Sequence, residues 1–234
     1  WWALATTQMQ AGVTQALEAR RAGGWQVESA APRKAGFPLT LDPRIDRLAI
    51  AAPEGEDRLE ARDLALSAPT WWPLTPSLGA ARMTVETRAG ALPLDIAFDT
   101  PTAVLSLQPG LDLALQDAEA QSAALRIAGP DGPLLDLAGP QVEVQRRDAD
   151  AAAYAVTFDA GQITPGPLLV RLLTPDAAPP AAPEATGRGV LTFDRPLNLA
   201  AARAAKPPRL TGLEIEALQL SWGKLALTAR GQIT

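Results

Sequence analysis

Apolar residues recur at every second position over most of the chain, and the last stretch shows this most clearly. Residues 213–233 read LEIEALQLSWGKLALTARGQI. Leu213 and Ile215 alternate with polar residues, and Leu218, Leu220 and Trp222 continue in the opposite parity. Leu225, Leu227, Ala229 and Ile233 follow Gly223-Lys224. A period of two marks half-buried strands, and Gly223 supplies the freedom a tight turn needs, so a β-hairpin is predicted. The parity change between Ile215 and Leu218 predicts one extra residue, a β-bulge. Trp222 shares its parity with Leu218 and Leu220 and is expected in the core.

The same alternation runs upstream. Trp25, Val27 and Ser29 form one set, Phe37, Leu39 and Leu41 a second, and Ile45, Leu48 and Ile50 a third. Leu59 and Ala61 give way to Leu64, Leu66 and Ala68 with the parity change seen at the C-terminal end. LEARDLALSA at 59–68 aligns with LEIEALQLSW at 213–222, either as a repeated strand-bulge-strand unit or by chance. Short apolar sets continue through Met83/Val85, Leu94/Ile96/Phe98, Val104/Leu105, Leu111/Leu113/Leu115, Leu125/Ile127, Val142/Val144 and Tyr154/Val156/Phe158. Breaks are marked by Pro109-Gly110, by residues 129–133 and by Gly139-Pro140. Strands at such spacing, with no helical stretches between them, predict a meandering antiparallel sheet.

Four segments depart from the alternation. In residues 1–22, Trp2, Met9, Val13, Ala16 and Leu17 fall at helical spacing, and Gly23-Gly24 is a helix stop. Residues 165–173 suit either a short helix or a strand. Residues 174–187, TPDAAPPAAPEATG, have no periodicity and read as a long mobile loop. Residues 200–206 suit one or two helical turns closed by Pro207-Pro208. The expected fold is mainly β (α+β): an N-terminal helix over 1–23, then a strongly bent antiparallel β domain over 24–234. One helix of about six turns cannot cover the apolar face of eight or more strands. The sheet therefore either closes on itself or keeps an open apolar groove between helix and concave face.

Composition removes several kinds of chemistry. The chain has neither His nor Cys, which excludes His-based triads, thiol catalysis, disulfides and the commonest zinc ligands. Ser67, Ser77, Ser106, Ser122 and Ser221 lack a nucleophile-elbow context. The acidic groups at Asp148/Asp150 and Glu54/Glu56/Asp57 sit in polar turns, and no glycine-rich phosphate loop occurs. The expectation is a non-enzymatic protein without cofactor or metal. A net charge of −5 argues against a nucleic-acid partner. Four of the six Trp lie in adjacent pairs, Trp1-Trp2 and Trp71-Trp72. Indoles settle at membrane interfaces and at the mouths of apolar grooves, so these four are the candidate site residues. Packing against the domain is the alternative role for each. Arg20-Arg21 suit either a solvated helix end or lipid head groups.

A helix leading into Gly24-Trp25-x-Val27, then Gly36-Phe37-Pro38, strands ending in Trp71-Trp72-Pro73, and Leu220-Ser221-Trp222-Gly223 follow one another in order. This order and spacing resemble the alphaproteobacterial family known as domain of unknown function 2125, over most of the chain. The resemblance implies a periplasmic domain held at the inner membrane by an N-terminal helix that precedes this chain. More distantly it is similar to AsmA-like and TamB-like envelope proteins, whose sheets curl around an apolar groove. It also implies further strands after Thr234 and supplies no catalytic residues. The functional expectation is an envelope protein that binds or guides a lipid or other apolar ligand. The alternative is a scaffold or accessory subunit that holds a membrane-protein partner.

Overall fold

The computed structural model describes residues 2–35, 40–53, 55, 57–69, 74–147, 152–167, 170, 184–204, 206–222 and 225–233. Helix α1, Trp2–Ala22, ends at the predicted glycines. The Gly23 and Gly24 amides donate back to the carbonyls of Ala19, Arg20 and Arg21, and Gly24 is left-handed with φ 87°. The strands are β1 (Gln26–Ser29), β2 (Arg33–Ala35), β3 (Thr40–Ala51), β4 (Arg58–Pro69), β5 (Ser77–Gly79), β6 (Arg82–Ala89), β7 (Leu92–Asp99) and β8 (Thr102–Leu107). They continue as β9 (Leu115–Gln121), β10 (Ala124–Gly129), β11 (Gly132–Ala138), β12 (Gln141–Arg146), β13 (Ala153–Pro165), β14 (Glu184–Phe193), β15 (Leu210–Trp222) and β16 (Leu225–Ile233). A short helix α2, Leu199–Arg203, lies between β14 and β15. All sixteen strands join one antiparallel sheet.

The registers reveal a simpler plan than sixteen separate strands. β5 and β6 both pair with β4 in one unbroken register, as two halves of a single line. The same holds for β7 and β8 along that line, for β9 and β10 along the next apart from a shift at the far end between Ser106 and Leu107, and for β11 and β12 along β13. β1 and β2 likewise share one register along β3. The sheet is thus an up-and-down meander in chain order: β1–β2, β3, β4, β5–β6, β7–β8, β9–β10, β11–β12, β13, β14, β15, β16. Backbone hydrogen bonds run through the gaps. Ala81 N donates to Arg62 O, Ala80 N to Pro101 O, Ala123 N to Asp99 O and Gly139 N to Ala123 O, each at 3.0 Å.

These gaps lie side by side and form a crease across the strands. Asp63 (φ 52°), Thr100 (φ 46°), Gly139 (φ 69°) and Gly161 (φ 61°) are left-handed in the middle of their lines. A left-handed residue in a strand turns it sharply. On each line the inward set changes parity at the crease: Leu59 and Ala61 become Leu64 and Leu66, and Leu135 and Leu137 become Val142 and Val144. Strands that switch direction at bends are how one sheet makes two facing layers. Leu125 and Leu135 from one side of the crease pack with Phe158 from the other around buried Leu137, Ala160 and Ile163.

The predicted mainly β fold, with its N-terminal helix and strongly bent antiparallel meander, is the observed one. Several details differ. The parity change at 59–68 is not a bulge, because β3 changes parity opposite it and the β3–β4 register is unbroken. At 213–222 the bulge is real. Ile215 faces Gly231 while Leu218 faces Ala229, and Arg188 faces Ala217 while Gly189 faces Ile215, which leaves Glu216 without an opposite number. The two similar sequences therefore do different things. Gly139-Pro140 bends a line and does not reverse it. Leu111 and Leu113 lie outside any strand: Leu111 is 98% exposed and Leu113 is left-handed with φ 43°. Residues 184–187, expected in the mobile loop, open β14. Their inward positions are Ala185 and Gly187, whose small side chains hide the alternation. The rest of that expected loop, residues 174–183, lies outside the described residues, as do 36–39, the turn at 223–224 and Asp148/Asp150. The side chain of Trp222 also lies outside them.

Coverage of the inner face is uneven. Val13 and Leu17 of α1 pack on buried Ile45, Leu48 and Ala61 with Val27, Leu59, Leu64 and Met83, so the helix stripe covers the first strands. α1 also contacts α2. Residues 194–204 cover a second region. The Leu197 carbonyl accepts from Leu115 N at 2.8 Å, and Leu199 N donates to Asp112 O at 3.0 Å. The hydroxyl of fully buried Tyr154 accepts from Leu197 N at 2.9 Å.

Candidate functional site

Between the two packed clusters the crease forms a half-open apolar cavity of about 180 Å3. Its lining comes from six successive lines of the meander: Leu64 on β4, Leu78 and Met83 on β5–β6, Phe98 and Ala103 on β7–β8, Ala120 and Leu125 on β9–β10, Val142 on β12, and Phe158 on β13. Leu64 and Met83 belong also to the helix-side cluster, and Leu125 and Phe158 to the other. The bend explains why these side chains converge. Alternation sends every second residue inward, and the parity switch keeps both halves of each line facing the same interior.

The surface that the described lining residues turn to the cavity is almost wholly apolar. Pro101 and Pro140 line the cavity and have no amide hydrogen to satisfy. The Ser122 hydroxyl sits 2.8 Å from Asp99 O and 2.7 Å from Ala124 O, and is used up on the backbone. No charged side chain is in the lining. Leu78 lines the cavity yet is 40% exposed, and Thr102 and Gln121 are exposed as well, so the cavity meets solvent along this side. Such a surface can exclude water and hold an apolar group. It offers no acid, base or nucleophile.

The sequence-predicted site residues stand apart from this arrangement. Trp1, Trp71 and Trp72 lie outside the described residues; Trp2 opens α1, and its side chain lies outside them too. Among the described residues, none from α1 lines this cavity. Val13 and Leu17 of the helix stripe are packed onto the first strands. Arg20 and Arg21 fasten the helix end. Arg21 pairs with Glu18 at 2.5 Å and donates to Val27 O at 3.0 and 3.1 Å, and the Arg20 guanidinium lies 5.9 Å from the centre of the Trp25 ring. The crease residues escaped the sequence reading. Their one available signal was the parity change, visible at 59–68 and masked elsewhere by alanines such as Ala103, Ala118 and Ala120.

With the fold and cavity described, comparison places the chain. It belongs to the family described as uncharacterized protein conserved in bacteria (DUF2125), whose model matches residues 2–234. No curated protein and no solved structure matches it. Among the described residues, no helix is long and apolar enough to cross a membrane, and no group of three or more His, Cys, Asp or Glu could hold a metal ion.

Proposed function

We propose that this protein binds the apolar part of a lipid or comparable amphiphile in the crease cavity, and that it does so without catalysis. The observation that carries this reading is the cavity itself, lined by aliphatic and aromatic side chains and open at Leu78. Burial there contributes roughly 0.8 kcal/mol per methylene. The absence of His and Cys from the sequence fits a role that needs no reactive group. We further place the protein at the periplasmic face of the inner membrane. The adjacent pair Trp1-Trp2 in the sequence supports this, because indoles partition to head-group depth. An apolar fluorescent probe should bind the folded protein saturably and be displaced by phospholipid. Probe fluorescence that rises without saturation, or that phospholipid leaves unchanged, would sink this reading.

One observation favours the scaffold reading as a second function. The two sheet edges are treated differently. The β1–β2 edge is interrupted, carries Pro32, Arg33 and Lys34, and is tied to α1 by Gln10 donating to Pro32 O. The β16 edge is nine residues long, has no proline and has one charge, Arg230. Its inward Leu227 is 47% exposed and neighbouring Leu218 is 38% exposed. A long edge of this kind accepts a further strand, supplied by a partner or by the chain beyond residue 234. Leu227→Lys should leave stability within about 0.5 kcal/mol, as exposed substitutions do, while abolishing capture of a strand-donating membrane-protein partner. A variant that still captures that partner would remove the edge from consideration.

A further inference from the structure

The cavity's size and lining narrow what it can take, and we propose that it holds the end segment of a single alkyl chain, about six or seven carbons long, with the head group left in solvent. This rests on the apolar-ligand reading above and makes it more specific. Volume comes first. An apolar protein cavity of roughly 150 Å3 holds one benzene, six carbons. A half-open cavity of about 180 Å3 therefore accommodates little more than that below its mouth, and the rest of a longer chain lies outside it. Shape comes second. The lining residues are strung along the crease over six lines of the sheet, spaced about 4.8 Å apart. A flexible chain can bend to contact several of these lines, which a rigid disc cannot.

The walls set the limit on length. Leu64 and Met83 are held by the cluster under α1, and Leu125 and Phe158 by the cluster around Leu137, Ala160 and Ile163. Neither wall can move outward without disturbing a packed core. The lining also settles the orientation of the ligand. Ser122 is already bonded to the backbone, Thr102 and Gln121 are exposed, and no charged side chain is present. A carboxylate or phosphate drawn inside would lose its water and gain no partner. The methyl end therefore enters past Leu78 and the polar end stays out.

The test uses the full chain and a series of n-alkyl carboxylates from about four to fourteen carbons, each below its micellar concentration, displacing an apolar fluorescent probe. Kd should fall about fourfold per added methylene up to about seven carbons, and then by less than about twofold per further methylene. Alkyl sulfates and alkyltrimethylammonium ions of one length should bind within about threefold of each other, because no charge lines the site. Ala120→Leu, which fills the cavity from β9, should move the break in the series to about four carbons. Ala103→Leu on the neighbouring line does the same should the first variant fail to fold. A slope that continues to fourteen carbons, a tenfold preference for one head-group sign, benzene binding tighter than a hexyl chain, or a break unmoved by either variant would each overturn the single-chain assignment. Failure of the probe and of every alkyl ligand to bind would instead remove the apolar-ligand reading itself.

Discussion

Tyr154→Ala is expected to lower stability by about 3–5 kcal/mol, the cost of deleting a large buried aromatic side chain. Tyr154 is 0% exposed, so the whole ring is lost from a packed site. It meets Phe193 edge to face, with ring centres 5.9 Å apart and planes at 77°, a geometry worth about 0.5–1.5 kcal/mol beyond area. Its hydroxyl accepts the Leu197 amide at 2.9 Å and so fastens residues 194–204 over the sheet. Tyr154→Phe separates the two contributions. It keeps the ring and leaves the Leu197 amide without its acceptor, which costs about 1–3 kcal/mol. The measurement is the denaturant midpoint of each variant, with amide exchange at Leu197 and Leu115 as the local readout. Faster exchange at both amides in the Phe variant is the expected pattern. A Phe variant with unchanged midpoint and exchange would show that the segment is held by other contacts.

The strands were legible in the sequence because half-burial writes a period of two, and the helix because Val13, Ala16 and Leu17 fall at helical spacing before Gly23-Gly24. Direction was harder to read. Residues 129–133 and Gly139-Pro140 both combine Gly with Pro, yet the first reverses the chain between β10 and β11 and the second only bends it. Both need a residue free to turn and one that can spare its amide hydrogen. Only the pairing of each half with β13 tells bend from reversal, and pairing is a long-range property.

Residues 184–187, the start of β14, read as loop for a related reason, whereas Val190, Thr192 and Phe193 carry the strand pattern. The inward Ala185, Gly187 and Gly189 of β14 look like loop composition, but at Gly189 the approach of β15 leaves no room for a side chain. A Cβ on Gly189 would lie 2.4 Å from Glu214 O, and one on Gly187 would lie 3.4 Å from a Leu218 methyl. Small residues selected by close strand contact carry no apolar signal. The candidate site shows the same limit. That the sheet would have more apolar face than one helix could cover followed from counting strands. Where the uncovered part lies depends on the crease, and the crease is set by backbone conformations at Asp63, Thr100, Gly139 and Gly161 that only two glycines announce.

Gly161 carries the second large prediction, since it lets β13 make its corner. Its φ is 61°, and its amide donates to Asp159 Oδ1 at 2.8 Å, a side-chain turn that fixes the bend. An added Cβ would lie 2.1 Å from Ala138 O and 3.1 Å from Gly139 O. Those are backbone atoms of the neighbouring line and cannot rotate away. Gly161→Ala therefore carries the left-handed cost of about 1–2 kcal/mol and must also push β11 from β13, loosening Leu137 and Ile163 in the buried cluster. The total expected is about 3–5 kcal/mol, within the range of core disruptions. Gly139 supplies the control. Its φ is 69° and an added Cβ there meets nothing within 4 Å, so Gly139→Ala should cost only the conformational part, about 1–2 kcal/mol. Chemical denaturation of the two variants side by side measures the difference. The same pair should separate in ligand binding, because Phe158 and Leu125 reach the cavity from the cluster that Gly161→Ala disturbs. Equal losses in the two variants would mean that the close approach of β11 and β13 adds nothing to the left-handed cost, and that the crease is not held shut at this point.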